Sequence, residues 1–501
     1  MPNNFEFDDS SSGVRVGNLT ATSREVDFFN VFWMNSLVDT IVEESNRFFY
    51  FMQAGKVMHE KSRDRQWTNV TSCDMRLFLA LSILMGIVRK RSYEAYWTTD
   101  PLLSTPIFSK VMSRNRFALI LRSLHFCDNL KGYLESVTSK IKKIESVYEC
   151  LRKSFRESFY PYQNVVIDES LVLWRGNLSF RQYIPSKRHR FGIKLFVMCD
   201  CKTGYVQDLI LYTGGTTLDD YDAELGLSGS IVKTFMEPYL DRNHVLYVDN
   251  WYTSPKLLQY LFNRSTGGCG TVRRNRKKMP PVAAMKERGT VVYSSTNNIL
   301  ATFWMDKREV ALLSTIHVPR MVLSDNFDPR TRERVMKPDC VVDYNINMRL
   351  VDKSDAMISS IECTRKTLKW YKRFFFHLVD MSMLNAHVLF MATTNKRCTL
   401  PDFVVEVVRD IFEDNAEEKQ APGRRAAAAD DPLRLTARHF CKLMPVPPEA
   451  KKGRVQRACH VCKHTSRKES VRRDTRFHCP QCDVPLCVDP CFEEYHTLKN
   501  Y

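Results

Sequence analysis

The spacing of apolar positions divides the chain into stretches of different character. Between Asp27 and about Ser158 the apolar residues recur every three or four positions, as in Leu37, Ile41, Val42 and Phe48, or Phe117, Leu121, Leu124 and Phe126. That period lines one face of a helix, so this region is predicted to be mostly helical. Leu77–Val88 is a continuous apolar run bracketed by Arg76 and Arg89, too short to cross a bilayer, and it reads as a buried helix. Beyond residue 159 the period shortens. Val165-Val166-Ile167, Leu171 to Trp174, Ile193 to Met198, Leu209 to Tyr212 and His244 to Val248 are β-rich runs bounded by Gly, Asp, Asn and Lys, which predicts strands. Ser254 to Phe262 is predicted to be a helix with Ser254 as N-cap and Pro255 at its first position, and Thr266 to Val272 a last strand. This order of elements predicts an α/β core built on a mixed sheet.

Residues 273–342 interrupt that core with alternating segments such as Thr290–Tyr293 and Val310–Ser314, expected to form a β-rich insertion domain. Helical character returns after Asp343, where Trp370, Phe374, Phe375, Leu378, Met381 and Leu384 form a core stripe. Residues 1–24 are polar and Ser-rich and are expected to be disordered. The expected organisation is therefore a disordered start (1–24), a helical domain (25–158), a core in two parts (159–272 and 343–412) around the insertion (273–342), an Ala-, Pro- and charge-rich linker (413–457) and a cysteine-rich domain (458–501).

Composition narrows the function classes. The 501 residues carry 74 Lys and Arg against 57 Asp and Glu, a net charge of +17, which favours a polyanionic partner such as nucleic acid or an acidic membrane surface. Met1–Gly13 has neither a basic region nor an apolar core, so no secretory signal is expected. Ten of the 16 cysteines are scattered between Cys73 and Cys441, as reduced core thiols are. The remaining six lie in a Cys459-x₂-Cys462, Cys479-x₂-Cys482, Cys487, Cys491 pattern followed by His496. Paired CxxC units in a reducing compartment point to zinc, and seven ligands with an eighth from His460, His464 or His478 suit two interleaved ions. Spacing leaves open which four residues hold which ion.

Two aspartates stand at strand ends: Asp168 closes Val-Val-Ile and Asp249 closes Val-Leu-Tyr-Val. An aspartate there often serves only as a turn or helix cap. If the two strands are neighbours, however, the carboxylates face each other across one sheet edge. Asp352 and Asp355, three residues apart in a helical stretch, lie on one face and can add a third ligand. Phosphodiester chemistry uses two divalent cations about 3.5–4 Å apart, and hard ions such as Mg²⁺ take a few carboxylates and leave positions for water and phosphate. Lys187, Arg188, Arg190 and Lys194, interleaved with Tyr183 and Phe191, and the run with Arg273, Arg274 and Arg276 are candidate phosphate contacts or else solvated loops. The latter run also suits nuclear import.

Val166-Ile167-Asp168-Glu169 with Tyr183 to Lys194, Val248-Asp249-Asn250-Trp251-Tyr252, and Asp343-Tyr344-Asn345 with Met348 and Val351-Asp352-Lys353-Ser354-Asp355 together resemble the catalytic blocks of piggyBac-type DDE transposases. The resemblance extends from about Phe28 to the C-terminus, including Leu486-Cys487, Pro490-Cys491-Phe492 and Tyr495-His496. It implies an RNase H-like core with Asp168, Asp249 and Asp352 as ligands for Mg²⁺ or Mn²⁺ and Asp355 as an accessory acid. It also implies a nuclear, dimeric enzyme that nicks transposon ends, forms and opens hairpins, and joins 3′ ends to TTAA targets. The zinc tail, with Lys451, Lys452, Arg454, Arg457, Arg472 and Arg473 nearby, would bind transposon-end DNA. Many members carry Gly-Gly where this chain has Arg349-Leu350. The competing expectation is a domesticated relative that binds DNA without cutting it.

Overall fold

The computed structural model describes the chain except residues 1–4, 57–58, 60–61, 130–139, 185–189, 216, 219, 328–331, 364–366, 416–438, 447–454, 466–468 and 499–500. The chain divides into two units, residues 1–98 with 105–416 and residues 99–104 with 417–501.

The larger unit is organised by strand Asn164–Leu173 (β1). Short Val165–Ile167 and Leu171–Trp174 runs were each expected to be a strand; one continuous strand instead carries Asp168-Glu169-Ser170 through its middle. It stays continuous because its backbone pairs with Phe191–Asp200 (β3) along nearly its whole length, from Val165↔Asp200 to Leu173↔Gly192. Between them in sequence lies the short Gln182–Tyr183 (β2), and Val206–Leu211 (β4) pairs with β3. Val245–Val248 (β5) lies parallel to β1, and Gly267–Thr271 (β6) parallel to β5. Three antiparallel strands followed by two parallel ones make an RNase H-like core.

The region 273–342 is not a separate domain, as its interruption of the pattern suggested. Val291–Ser295 (β7), Leu300–Met305 (β8) and Glu309–Ser314 (β9) form a meander whose last strand pairs with β6, so one nine-stranded sheet runs β2-β3-β1-β5-β6-β9-β8-β7, with β4 on β3. The free edge of β6 supplies the unpaired backbone groups that capture β9. Within 273–342 the hairpin of Met321–Phe327 and Arg334–Pro338 stands apart from this sheet.

Helices of this unit are Glu25–Asn30 (α1), Asn35–Gln53 (α2), Ser72–Ile87 (α3), Pro106–Val111 (α4), Arg114–Ser123 (α5), Glu145–Ser158 (α6), Gly226–Met236 (α7), Pro255–Asn263 (α8), Asp339–Asn347 (α9), Leu350–Ile361 (α10), Trp370–Thr394 (α11) and Leu400–Asp414 (α12). The apolar run at Leu77–Val88 falls in α3, whose start is fixed by a Thr71/Asp74 capping box. Ser254 caps α8 as its sequence predicts, accepting from Leu257 N at 3.2 Å. Side-chain alternation along the strands separates two cores. Val166, Val172, Leu195, Val197 and Tyr247 pack in a core that includes α3, α11 and α12, while Ile167, Phe196, Met198, Leu246 and Val248 pack with Ile231, Phe235, Leu257 and Leu261 of α7 and α8. Each fully buried side chain of this kind is worth about 1.5–3 kcal/mol, so the sheet between the two layers is a rigid mount. Gly270 permits the close approach of β6 to β5: a Cβ there would overlap Thr253 and sit 2.5 Å from the Val248 carbonyl oxygen.

Parts of residues 5–24, a segment expected to be disordered, contact the core. Gly13–Val14 pairs with Phe159–Tyr160, Gln163 Nε2 donates to the Phe5 carbonyl (2.9 Å), and the Phe7 ring packs on His244 at 4.7 Å. Two aromatic anchors and an available strand edge supply the burial that the polar composition hides.

Asp380, in the middle of α11, is buried. Cys363 N donates to its Oδ1 at 3.1 Å, while Oδ2 has no hydrogen-bond partner among the described residues. Burial pushes its carboxyl up to about 8. Between the ordinary carboxylate value and that pH the folded chain holds a proton that the unfolded chain lacks, so this group makes stability fall as pH rises through the window. Asp380→Asn, a neutral isostere, is expected to melt at higher temperature than wild type, by a margin that grows from pH 5 to pH 8 and is constant above. A margin independent of pH in thermal unfolding would place the titration elsewhere.

Candidate active site and metal centres

The register of the parallel strands builds the acidic site. Ile167 of β1 pairs with Val248, the last residue of β5, so the next residues, Asp168 and Asp249, are level. Beyond that point β1 continues with only β3 beside it, leaving a gap at the carboxyl end of a parallel pair, where α/β sheets place their ligand sites. Ligand oxygens of Asp168, Glu169 and Asp249 all lie within 4.8 Å of one another. Successive residues on a strand point to opposite faces, but at this open end both Asp168 and Glu169 reach the gap. Glu169 pairs with Lys194 at 2.7 Å, and the Lys194 ammonium lies over Phe196 (4.6 Å) and Trp251 (4.7 Å). Asp249 Oδ1 accepts from Trp251 N at 2.9 Å. Burial and then the Glu169 charge hold the Asp249 carboxyl above its ordinary range, against the pull of backbone N–H groups and Lys194. Three crowded carboxylates facing an opening fit a hard divalent cation, which relieves their repulsion and keeps positions for further oxygen ligands.

The acids of α10 approach the same strand. Ser170 Oγ donates to Asp355 Oδ1 at 2.8 Å. Leu350 and Ser354 lie near Gly204, at the start of β1, while Ile358, Ser359 and Glu362 line a cavity with Leu171–Leu173 at its end, so helix and strand run in the same direction. One turn before Asp355, about 4.5 Å along the axis, Asp352 is thus nearly level with Asp168, which lies about 6.6 Å back along the strand from Ser170. Asp352 is exposed and is not a member of the three-carboxylate cluster. Glu169 is the third member of that cluster, and only its position next to Asp168 signalled it. Leu350, where Gly-Gly is common, packs toward Gly204, whose lack of a side chain makes room.

The basic candidates separate. Lys187 and Arg188 lie outside the described residues, and Arg190 is exposed, its carbonyl accepting from Ile184 N at 2.8 Å. Lys194, also a candidate phosphate contact, pairs with Glu169 in the acidic site. Arg276 donates to the carbonyls of Asn250 (2.7 Å) and Trp251 (2.9 Å), and Arg273 Nε to Asn250 Oδ1 (3.3 Å). These two hold the loop that follows Asp249, and Arg274 pairs with Glu309 at 2.9 Å.

In the smaller unit the cysteines resolve into two tetrads. Cys459, Cys462, Cys487 and Cys491 form one; Cys479, Cys482, His496 and His439 form the other. The fourth member of the second tetrad is His439; His460, His464 and His478 belong to neither tetrad. His460 is turned inward to Tyr501 (2.8 Å) and His464 Nδ1 is bonded to the His460 carbonyl (3.0 Å). In sequence the ligands alternate between tetrads as an interleaved cross-brace, which requires two ions to close. Cys462 and Cys491 sulfurs are 3.5 Å apart, and His439 Nδ1 is 3.4 Å from both Cys479 and Cys482. Tetrahedral zinc with bonds of about 2.3 Å to sulfur and 2.0 Å to nitrogen spaces its ligands at about 3.5–3.8 Å, which these tetrads match. His496 Nδ1 is bonded to the Phe492 carbonyl at 2.7 Å, leaving Nε2 for the metal.

A match to the family described as Transposase IS4 covers residues 24–387, and one to the DDE_Tnp_1-like zinc finger covers residues 448–497. The chain is similar to PiggyBac transposable element-derived protein 3 of Homo sapiens, 24% identical over 493 residues, 95% of this chain and 77% of that protein. It is also similar to PiggyBac transposable element-derived protein 2 of Homo sapiens, 24% identical over 378 residues, 72% of this chain and 60% of that protein. Among solved structures, the piggyBac transposase in a synaptic complex with hairpin DNA superimposes with a TM-score of 0.71 at 20% identity, over 96% of this chain and 100% of that one.

Proposed function

Since this chain belongs to the piggyBac family of DDE transposases, within the Transposase IS4 family that covers residues 24–387, we propose that it cleaves and rejoins DNA at transposon ends. The observation that carries the reading is the meeting of Asp168 and Glu169, just past the point where β1 stops pairing with β5, with Asp249 at the end of β5, and with Asp355 of α10 close by. In this reading Asp168, Asp249 and either Glu169 or Asp352 hold divalent ions of the Mg²⁺ or Mn²⁺ type. When bound, such ions supply activation of an attacking oxygen and stabilisation of the leaving oxygen in an in-line displacement.

Lys194 offsets the charge of Glu169 and helps the crowded carboxylates remain together before DNA arrives. Arg273 and Arg276 keep the Asp249 loop in place, and Arg190, with Lys187 and Arg188, contacts backbone phosphates without reading sequence. Water opens one strand at the transposon end; the released 3′-hydroxyl then attacks the opposite strand to form a hairpin, and after opening the 3′ ends join a TTAA target. The cross-braced tail, carrying zinc, holds the transposon end. Two ends must be cut together, which favours a dimer, and the substrate places the protein in the nucleus.

A domesticated protein that binds DNA without cutting it is the second reading, favoured by the similarity to human proteins described as transposable element-derived. Purified protein incubated with Mg²⁺ and DNA bearing its own flanking terminal repeats separates the two. Nicks with 3′-hydroxyl ends and hairpins on the transposon ends are expected; tight binding with intact strands would support the second reading.

A further inference from the structure

Next to the acidic site runs a buried polar chain that the cleavage reading leaves without a role. Ser314 Oγ and His317 Nδ1 are 2.7 Å apart, His317 Nε2 is 3.3 Å from Asp343 Oδ2, and the Tyr247 hydroxyl donates to the same oxygen at 2.6 Å. Asn347 Nδ2 donates to Asp343 Oδ1 at 3.0 Å. Ser, His and Asp in this order suggest a nucleophile relay. Ser314, however, is only 1% exposed and its hydroxyl also accepts from Ile316 N at 3.1 Å, so no substrate reaches it. What the chain joins is informative: β9, the loop after it, helix α9 and strand β5.

Tyr247 stands two residues before Asp249 on the same side of β5. The next residue of α9, Tyr344, is buried and places its hydroxyl 3.3 Å from Thr271 Oγ1. Thr271 follows Gly270, the partner of Val248, so it is level with Asp249 on the adjacent strand. Helix α9 is therefore tied down on both sides of Asp249, through Asp343 to β5 and through Tyr344 to β6. Before a cation binds, like charges on Asp168 and Glu169 push Asp249 away, and β5 ends there with no further pairing to β1 to resist the push.

We propose that Asp343 and Tyr344 are positioning residues: they form a clamp that holds Asp249 within chelating distance of Asp168 and Glu169. The proposal rests on the reading of Asp249 as a metal ligand. Partners one step removed from a metal ligand affect metal affinity by roughly 10–100-fold when lost.

The test is Mn²⁺ binding to the full-length, zinc-loaded chain, followed by electron paramagnetic resonance, alongside nicking of terminal-repeat DNA over a range of Mn²⁺ concentrations. Asp343→Ala is expected to weaken Mn²⁺ binding about tenfold and to raise by a similar factor the Mn²⁺ needed for half-maximal nicking, with DNA affinity unchanged. Asp343→Asn, which keeps an acceptor for Tyr247, is expected to restore most of the affinity. Tyr344→Phe removes one hydroxyl and is expected to give a smaller shift in the same direction, and it decides the matter if Asp343→Ala does not fold. Wild-type Mn²⁺ affinity in folded Asp343→Ala and Tyr344→Phe overturns the clamp. Asp249→Asn is the control: if it binds Mn²⁺ like wild type, the reading of Asp249 fails instead.

Discussion

Replacing Asp168 or Asp249 by Asn is expected to abolish strand cleavage in Mg²⁺ while leaving duplex DNA binding at the wild-type level. Each substitution removes a charged oxygen from a cluster whose members lie within 4.8 Å of one another, so neither ion of a pair can be held at the spacing that in-line displacement requires. The loss should be several orders of magnitude, because both ions act on one phosphate. Binding survives because phosphate contacts come from separate basic groups and carry no part of the metal site. The same assay separates the two candidates for the third ligand. If Glu169 is the ligand, Glu169→Gln matches the loss in Asp168→Asn and Asp352→Asn retains activity; if Asp352 swings in from α10, the ranking reverses. Nicking by purified Asp168→Asn or Asp249→Asn at the wild-type rate would remove the acidic cluster from the chemistry.

The second large effect is expected from the tail. Freshly purified, reduced protein should hold about two zinc ions per chain, and chelation should unfold the cysteine-rich unit without lowering the melting temperature of the larger one. Its buried apolar residues are few, chiefly Val461, Val484, Leu486, Tyr495 and Tyr501 packed around the cysteines, too small a core to fold alone. Structural zinc supplies about 10–16 kcal/mol in such modules, so loss of metal is loss of the fold. His439→Ala should lower the zinc content to about one ion per chain, whereas His478→Ala should retain both. Terminal-repeat affinity should fall with chelation, and the dependence of log K on log salt should become shallower as phosphate contacts are lost. Full zinc content in His439→Ala, measured by metal analysis after dialysis, would return the eighth position to another residue.

Features that local residue order dictates were legible in the sequence. Helical and strand periods, the Ser254 cap, Asp249 just past a strand end, and the paired CxxC units all depend on neighbours within a few positions, and each has a local physical signature, whereas Asp168, read as closing a strand, lies in the middle of one. What the sequence could not determine is set by partners far along the chain. Whether Asp168 and Asp249 meet depends on β1 and β5 being parallel neighbours in one register. Glu169 joins them only because β5 stops and opens a gap, and Lys194 pairs with it because β3 places Lys194 opposite Leu171, two residues along β1 from Glu169. Residues 273–342 read as an insertion because their strands alternate; they extend the core sheet because β6 has a free edge, which no local pattern reveals. His439 lies 20 residues before the first CxxC, in a segment whose composition reads as linker, and only the fold, not periodicity, brings it to Cys479 and Cys482. Local propensity writes the elements and the residue types, but the distances that make a metal site come from hydrogen-bond register and ligand geometry, and these exist only once distant segments have packed.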